Sequence, residues 1–169
     1  MTAPTAPITP IPTADICDQH EDNSNAITVV SPLFRDFGKI HCFAGSIVTL
    51  HCADDNSKVR EQVSVAGNGG VLVVDGGASM RCALLGGNLA VLAEKNGWSG
   101  IVINGCVRDS EELAQVNIGI RALAAMPRRS KKRQTGQLNI PVHFANAAFI
   151  PGHFLYADKD GIIVSVVPQ

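Results

Sequence analysis

The chain has 169 residues, a formal net charge of -1, 46% hydrophobic and 17% charged residues. That length is most simply one domain with room for a sizeable core, and the near-neutral balance supplies no global field for nucleic acid or an anionic membrane. No apolar stretch approaches the roughly 18 uninterrupted residues of a membrane span, so a cytoplasmic protein without direct nucleic-acid or membrane contact is expected.

The first residues, Met1 to Ala14, contain Thr, Pro, Ala and Ile but no charge, and their four prolines oppose a helix. They lack the basic start of a signal peptide and the arginines of a transit peptide, so a disordered tail over 1–14 and a single domain over 15–169 are expected. Thr13 is placed to cap a short helix through Asp18. Pro32 to Gly38 reads as a turn-rich entry to the core. Gly45 to Cys52 has strand composition, Asp54-Asp55-Asn56-Ser57 breaks it, and Lys58 to Ala66 reads as a helix.

The centre is the clearest part. Val71-Leu72-Val73-Val74 is a short apolar run between glycines, as expected of a strand buried on both faces, and it runs out into Asp75-Gly76-Gly77-Ala78-Ser79. Leu85, Leu89, Leu92 and Ala93 then recur near helical spacing and predict a helix from about Ala83 to Asn96, with Gly97 as its stop. Ile101-Val102-Ile103 follows as a second buried strand. Strand, helix and strand in so few residues make a βαβ unit with parallel strands, whose C-terminal ends share the edge where open α/β sheets place ligands.

Beyond that strand, Ser110 is placed to cap a short helix over Glu111 to Asn117, and Ile120 to Met126 reads as a strand. Pro127 to Gln137 is a loop carrying the basic run Arg128 to Arg133. The final third reads as β, over Pro141–Phe144, Ala147–Ile150, Phe154–Ala157 and Ile162–Val167, with Asp158-Lys159-Asp160-Gly161 as a hairpin turn.

Several candidate sites carry chemistry, and each has a plainer alternative. Gly105-Cys106-Val107-Arg108-Asp109 lies where the second buried strand gives out. A guanidinium can clamp a carboxylate with two parallel hydrogen bonds, and a neighbouring Asp can hold a hard divalent cation. The plainer reading is a surface ion pair or a helix-cap carboxylate. Gly86 and Gly87 would let backbone amides approach an anion, or would merely allow close packing; they match neither a dinucleotide fingerprint nor a P-loop. Asp75 reads as a turn-former. The basic run could meet nucleic acid, but without interleaved aromatics a solvated loop is expected. His41, His51, His143 and His153 have no metal-ligand spacing. The five cysteines (Cys17, Cys42, Cys52, Cys82 and Cys106) form no Cys-x-x-Cys pair, and four of them lie among apolar or small residues as buried, reduced thiols would. No nucleophile motif is present.

Val71 to Ala90, Asn96 to Leu113, Ile118 to Leu123 and Leu155 to Val164 resemble the RraA-like family, which comprises regulators of ribonuclease activity A and class II 4-hydroxy-4-methyl-2-oxoglutarate aldolases. The resemblance runs from about Thr13 onwards. It implies a compact single α/β domain of the swivelling β/β/α type, with the central βαβ unit and a β-rich C-terminal third, assembled as a homotrimer with sites near subunit interfaces. It also implies a Gly-x-x-Leu segment, here Gly86, Gly87, Asn88 and Leu89, that binds substrate through backbone groups. Arg108 would bind substrate, and Asp109 would hold Mg²⁺ or Mn²⁺ with water in most other positions.

The chemistry so implied is cleavage of a 4-hydroxy-2-oxo acid, such as 4-hydroxy-4-methyl-2-oxoglutarate or 4-carboxy-4-hydroxy-2-oxoadipate, to pyruvate. The metal and Arg108 would stabilise the enolate charge. Oxaloacetate decarboxylation passes through the same enolate. Some aldolase members carry Gly-Asp-Leu-Leu where this chain has Gly86-Gly87-Asn88-Leu89, with the Asp thought to position a catalytic water. Gly87 cannot do so, which leaves the proton-transfer partner unassigned. The alternative reading is a non-catalytic regulator that binds and inhibits an RNA-degrading endonuclease. Retention of Arg108 and Asp109 favours the enzyme, because a pure binding ring needs no metal carboxylate. A menaquinone methyltransferase label used in this family finds no S-adenosylmethionine-binding glycine motif here.

Overall fold

A computed structural model describes residues 7–21 and 25–169. The opening helix α1, Thr13–Gln19, is followed by two short strands, β1 at Ile27–Val29 and β2 at Arg35–Asp36. Next come β3 (Phe43–His51), α2 (Ser57–Val63), β4 (Val71–Leu85), α3 (Gly87–Lys95), β5 (Gly100–Val107), α4 (Ser110–Leu113) and β6 (Gly119–Ala125). The last third is β7 (Gln137–Leu138), β8 (Val142–Phe144), β9 (Ala147–Phe149), β10 (Phe154–Ala157) and β11 (Ile162–Ser165).

Nine strands form one sheet in the order β1-β11-β10-β3-β4-β5-β6-β2, with β7 paired to β3 off that path. The four central strands β3, β4, β5 and β6 are parallel, each joined to the next through a helix. The βαβ unit expected around α3 is thus the middle of three such crossovers. All three helices cover one face, because Val59, Val63, Leu89, Ala90, Ala93 and Leu113 pack in one cluster with Leu72, Val74, Ile101 and Ile103. The alternate residues Val71, Val73 and Val102 face the other way, onto Val142, Phe149 and Leu155. Burial on both faces is what makes these strands read as continuous apolar runs.

Several local expectations change. The strand β4 does not stop at Asp75; it continues to Leu85 through register shifts against β5. Gly77 (φ 64°) and Ala78 (φ 56°) take the left-handed conformation there, and Asp75 Oδ1 accepts the Gly77 N–H at 2.9 Å. Ala83 and Leu85 therefore pair with Cys106 and Val107 instead of opening a helix, and α3 begins at Gly87. Gly97 ends that helix as expected, at φ 76°.

Neither expected hydroxyl cap forms. Thr13 is the first residue of α1, and its N–H and Oγ1–H each donate to Asp158 at 2.7 Å. Ser110 is the first residue of α4, whose cap position is Asp109 at φ 59°. α4 is also shorter than expected. Of the expected tail, residues 1–6 lie outside the described ones, while Ile8 and Ile11 pack beside Ile16 and Tyr156. Three cysteines, not four, are buried: Cys52, Cys82 and Cys106, with Cys42 exposed and Cys17 partly so. Among the described residues, no helix is long and apolar enough to cross a membrane.

Candidate functional site

Two chain segments meet because β4 and β5 end side by side. The last pair in their register is Leu85 with Val107, and the Arg108 N–H donates to Leu85 O at 2.9 Å. The chain then turns away on both sides: Gly86, in extended conformation, leads into α3, and Asp109 at φ 59° leads into α4. This places the Asp109 carboxylate at the N-terminus of α3, where Oδ2 accepts the Gly87 N–H at 3.0 Å. A helix start with unsatisfied N–H groups and a positive dipole end favours an anion there. The two readings of Asp109 are therefore compatible: it caps a neighbouring helix with one oxygen, while Oδ1 makes no hydrogen bond among the described residues. The Arg108 Nε lies 3.8 Å from Asp109 Oδ2, and both side chains remain about two-fifths exposed, at 41% and 36%.

Glycine at 86 and 87 is a matter of space. A Cβ on Gly86 would lie 2.6 Å from Asp109 Oδ2, and one on Gly87 would lie 2.1 Å from Glu112 Oε2. The carboxylate of Glu112 thus overlies Gly87, at a position for which the sequence reading found no acid. Asp109 and Glu112 both approach the first turn of α3.

Gly86, Asn88, Leu89, Arg108 and Asp109 all line one cavity of about 130 Å³; Gly87 sits behind it with its N–H turned to Asp109. That size suits a small acid better than a drug-sized ligand, which occupies roughly 300 Å³ or more. The lining also contains residues that sequence reasoning did not assign to a site: Asn56, Arg60, Arg129, Ser130 and Lys132. The signal for the last three was the basic run itself, read as a solvated loop.

That loop is tied down. The Ala83 N–H donates to Arg128 O at 2.8 Å, and the Lys131 N–H to Asp54 O at 3.1 Å. Ser130 is buried, and its Oγ accepts the Asn56 N–H at 3.1 Å. The main anchor is Asp55, which is fully buried. It accepts hydrogen bonds from the Ser57 N–H and Oγ–H (2.8 and 2.6 Å), the Arg133 N–H (2.7 Å), and the Thr135 N–H and Oγ1–H (3.1 and 3.0 Å). Burial alone would raise its pKa, but hydrogen bonds from Ser57, Thr135 and Arg133 outweigh it and hold the carboxyl well below the usual carboxylate range. The Asp-Asp-Asn-Ser break in the sequence is therefore the foundation of the cavity wall.

Cys52, Cys82 and Asp75, near the ends of the parallel strands, are structural or unreactive. Burial, with the nearby Asp55 and Asp75 charges, pushes the Cys52 thiol up to about 12; burial and a hydrogen bond to Asp54 push Cys82 up to about 11. Both stay protonated and poorly nucleophilic. Asp75 Oδ1 accepts the Asn104 Nδ2–H at 2.9 Å, and His51 Nδ1 lies 3.3 Å from its Oδ2, so Asp75 holds its turn as expected. Among the described residues no group of three or more His, Cys, Asp or Glu side chains is placed to hold a metal ion.

A nine-stranded sheet with parallel central strands, a separate β8-β9 hairpin, and a small cation-lined cavity at the C-terminal edge of the parallel strands define a mixed α/β domain. The chain belongs to the RraA-like family, whose Aldolase/RraA model matches residues 13–164. A Burkholderia mallei protein provisionally named 4-hydroxy-4-methyl-2-oxoglutarate aldolase is 54% identical over 155 residues, covering 90% of this chain and 94% of that one. Among solved structures, the RNA-processing inhibitor RraA from Thermus thermophilis superposes with a TM-score of 0.89 at 41% identity, covering 95% of this chain and 96% of that chain. A protein from Geobacillus kaustophilus described as an S-adenosylmethionine:2-dimethylmenaquinone methyltransferase has a TM-score of 0.87 at 39% identity, covering 92% and 95%.

Proposed function

We propose that this protein is a divalent-metal-dependent lyase that cleaves 4-hydroxy-2-oxo acids of the 4-hydroxy-4-methyl-2-oxoglutarate type to pyruvate. The observation that carries the reading is the adjacency of Arg108 and Asp109 at the first turn of α3, on the wall of a small, cation-lined cavity. The relatives named as aldolases support it.

The residues present fit a hard cation. The Asp109 carboxylate is partly exposed to the cavity, the Gly87 N–H engages only Oδ2, and Oδ1 is left as an open oxygen donor. One carboxylate with water elsewhere suits Mg²⁺ or Mn²⁺, which keep much of their hydration. When bound, such an ion would act as a Lewis acid toward the negative charge that develops as the C–C bond breaks.

Arg108 supplies a fixed cation beside that place, and its fork can bind a carboxylate or 2-oxo oxygen through two N–H groups. The Gly86 segment keeps the floor of the cavity free of side chains where Asp109 stands. Leu85 and Leu89 contribute apolar surface that keeps water from part of the cavity. Glu112, whose carboxylate overlies Gly87 outside the cavity lining, is the candidate to exchange a proton with the substrate through water. Oxaloacetate decarboxylation requires the same enolate stabilisation and belongs to the same reading.

The test is pyruvate release from 4-hydroxy-4-methyl-2-oxoglutarate and from oxaloacetate, with Mg²⁺, with Mn²⁺ and with chelator. Activity on at least one substrate is expected, lost with chelator and reduced by roughly a thousandfold in Asp109→Ala. Substantial turnover in Asp109→Ala would overturn the metal assignment. A second reading, inhibition of an RNA-degrading endonuclease through protein contacts, is favoured by the 41% identity to an RNA-processing inhibitor. No turnover of either substrate, together with saturable binding to a ribonuclease, would select it.

A further inference from the structure

The cavity has more positive charge than its reacting end requires. Arg60, Arg108, Arg129 and Lys132 line it, against Asp109 as the one lining carboxylate. Arg108 stands beside Asp109, but Arg60, Arg129 and Lys132 make no ion pair among the described residues. We propose that Arg60 and Arg129 form a subsite for the distal carboxylates of the substrate, so that the enzyme selects tricarboxylic over dicarboxylic 4-hydroxy-2-oxo acids.

The placement of these two residues is built into the fold. Arg60 projects from α2, a helix packed into the core through Val59 and Val63. Arg129 is fixed on both sides: Arg128 O accepts the Ala83 N–H, and the following Ser130 is buried against Asn56. Position 129 also forms a parallel bridge with Ala83 of β4. Beyond it, Asp55 holds Arg133 and Thr135, so the basic stretch is clamped at both ends along the sheet edge.

The chemistry of the lining matches carboxylates. Guanidinium is planar and weakly hydrated, and it binds carboxylate bidentately; Lys132 adds a point charge beside the two forks. Four cations held around a small cavity against one carboxylate raise the local concentration of polyanions and bind them better as ligand charge rises. A substrate whose distal end carried one carboxylate and a methyl group would leave one of the two guanidinium groups without a partner. A second distal carboxylate supplies it. The cavity, about 130 Å³, limits the ligand to a short-chain acid.

This inference rests on the aldolase reading for its substrate but can be tested without it. Binding of the unreactive acids glutarate and tricarballylate to the full chain is measured by calorimetry for the wild type, Arg60→Gln, Arg129→Gln and the double variant. The two acids have the same backbone length and differ by one carboxylate. The wild type is expected to bind tricarballylate about tenfold more tightly, and the double variant to bind both about equally. In parallel, kcat/KM for 4-carboxy-4-hydroxy-2-oxoadipate should fall by about tenfold in each single variant, with a several-fold smaller loss for 4-hydroxy-4-methyl-2-oxoglutarate. Equal wild-type affinity for the two acids, or equal losses for both in the variants, would overturn the subsite. If the wild type cleaves neither substrate, the aldolase reading fails, and calorimetry alone decides the subsite. Arg60 and Arg129 are exposed, so the variants are expected to keep the wild-type melting temperature.

Discussion

At the scale of single residues, the site depends on the absence of side chains as much as on their presence. Gly86 is extended, a conformation open to any residue, so its backbone does not require glycine. Space does: its Cβ would meet Asp109 Oδ2 at 2.6 Å, and Arg108 Cγ and Nε at 3.3 Å. The Gly86→Ala change must therefore push the Asp109 carboxylate away from the Gly87 N–H and disturb Arg108 with it. Mn²⁺ affinity, read by electron paramagnetic resonance, should weaken roughly tenfold while the melting temperature moves little. Unchanged affinity would mean that the carboxylate need not stand where α3 holds it. Gly87→Ala makes a control of the opposite kind. Its Cβ would meet the exposed end of Glu112, which can swing away, so Mn²⁺ binding should survive. The glycines were legible in the sequence as places of close approach, either to an anion or to packed neighbours. That the anions are the protein's own carboxylates, at positions 109 and 112, was not, because residues more than twenty positions apart meet only through the pairing of β4 with β5.

Among the elements, legibility followed the range of the interactions. Val71 to Val74 and Ile101 to Ile103 were readable as buried parallel strands because both faces are covered and the apolar run is unbroken. Ala83-Leu84-Leu85 misled, since its apolar residues fit helical spacing while its backbone is claimed by β5 and by Arg128. The basic loop misled for a related reason. Its charged residues are exposed, but its anchor, Asp55, lies 78 residues before Arg133. That anchor makes an expectation at this scale. The folded-state pKa of Asp55 is depressed, so its contribution is fully present above the unfolded value of about 4 and fades as pH falls below it. In Asp55→Asn, an amide NH₂ faces donors from Arg133 and Thr135, at a cost of about 2 kcal/mol. Hydrogen exchange at the Arg133 and Thr135 amides should be slow in the wild type at pH 7 and fast in the variant. The wild type's stability advantage should shrink as pH drops from about 5 toward 3. Equal protection of these amides in both proteins would refute the anchoring role.

For the molecule as a whole, the sheet is held at its two ends by different means. At the C-terminal edge of the parallel strands lies the cavity, with partly exposed charges. Toward the N-terminal edge, Phe43 covers Gly100 and Gly119, either of whose Cβ atoms would come within 2.2 Å of its ring. The Arg121 guanidinium stacks over that ring at 5.5 Å and is only 4% exposed. Its Nη2 donates to His41 O and Asp158 O, both at 2.8 Å, and Nη1 lies 2.5 Å from Asp36 Oδ1. One side chain thus joins β6 to β2, to the start of β3 and to the β10–β11 turn, which in turn receives α1 through Thr13. Burial lowers the Arg121 pKa, and Asp36 and Asp158 counter the shift, so the group remains a cation. Replacing it by Met keeps the packing over Phe43 but leaves Asp36 with His41 as its remaining partner and takes the donor from two part-buried carbonyls. The loss expected from breaking such a half-buried pair is about 2 kcal/mol, or roughly 6 °C in melting temperature for a domain of this size. Arg121 lines none of the site cavity, so kcat and KM per folded molecule should stay at wild-type values. Urea denaturation together with active-site-titrated kinetics separates the two effects. A variant of unchanged stability would show that the sheet closes without this cation, and a variant of full stability but lost turnover would place Arg121 in the catalytic machinery.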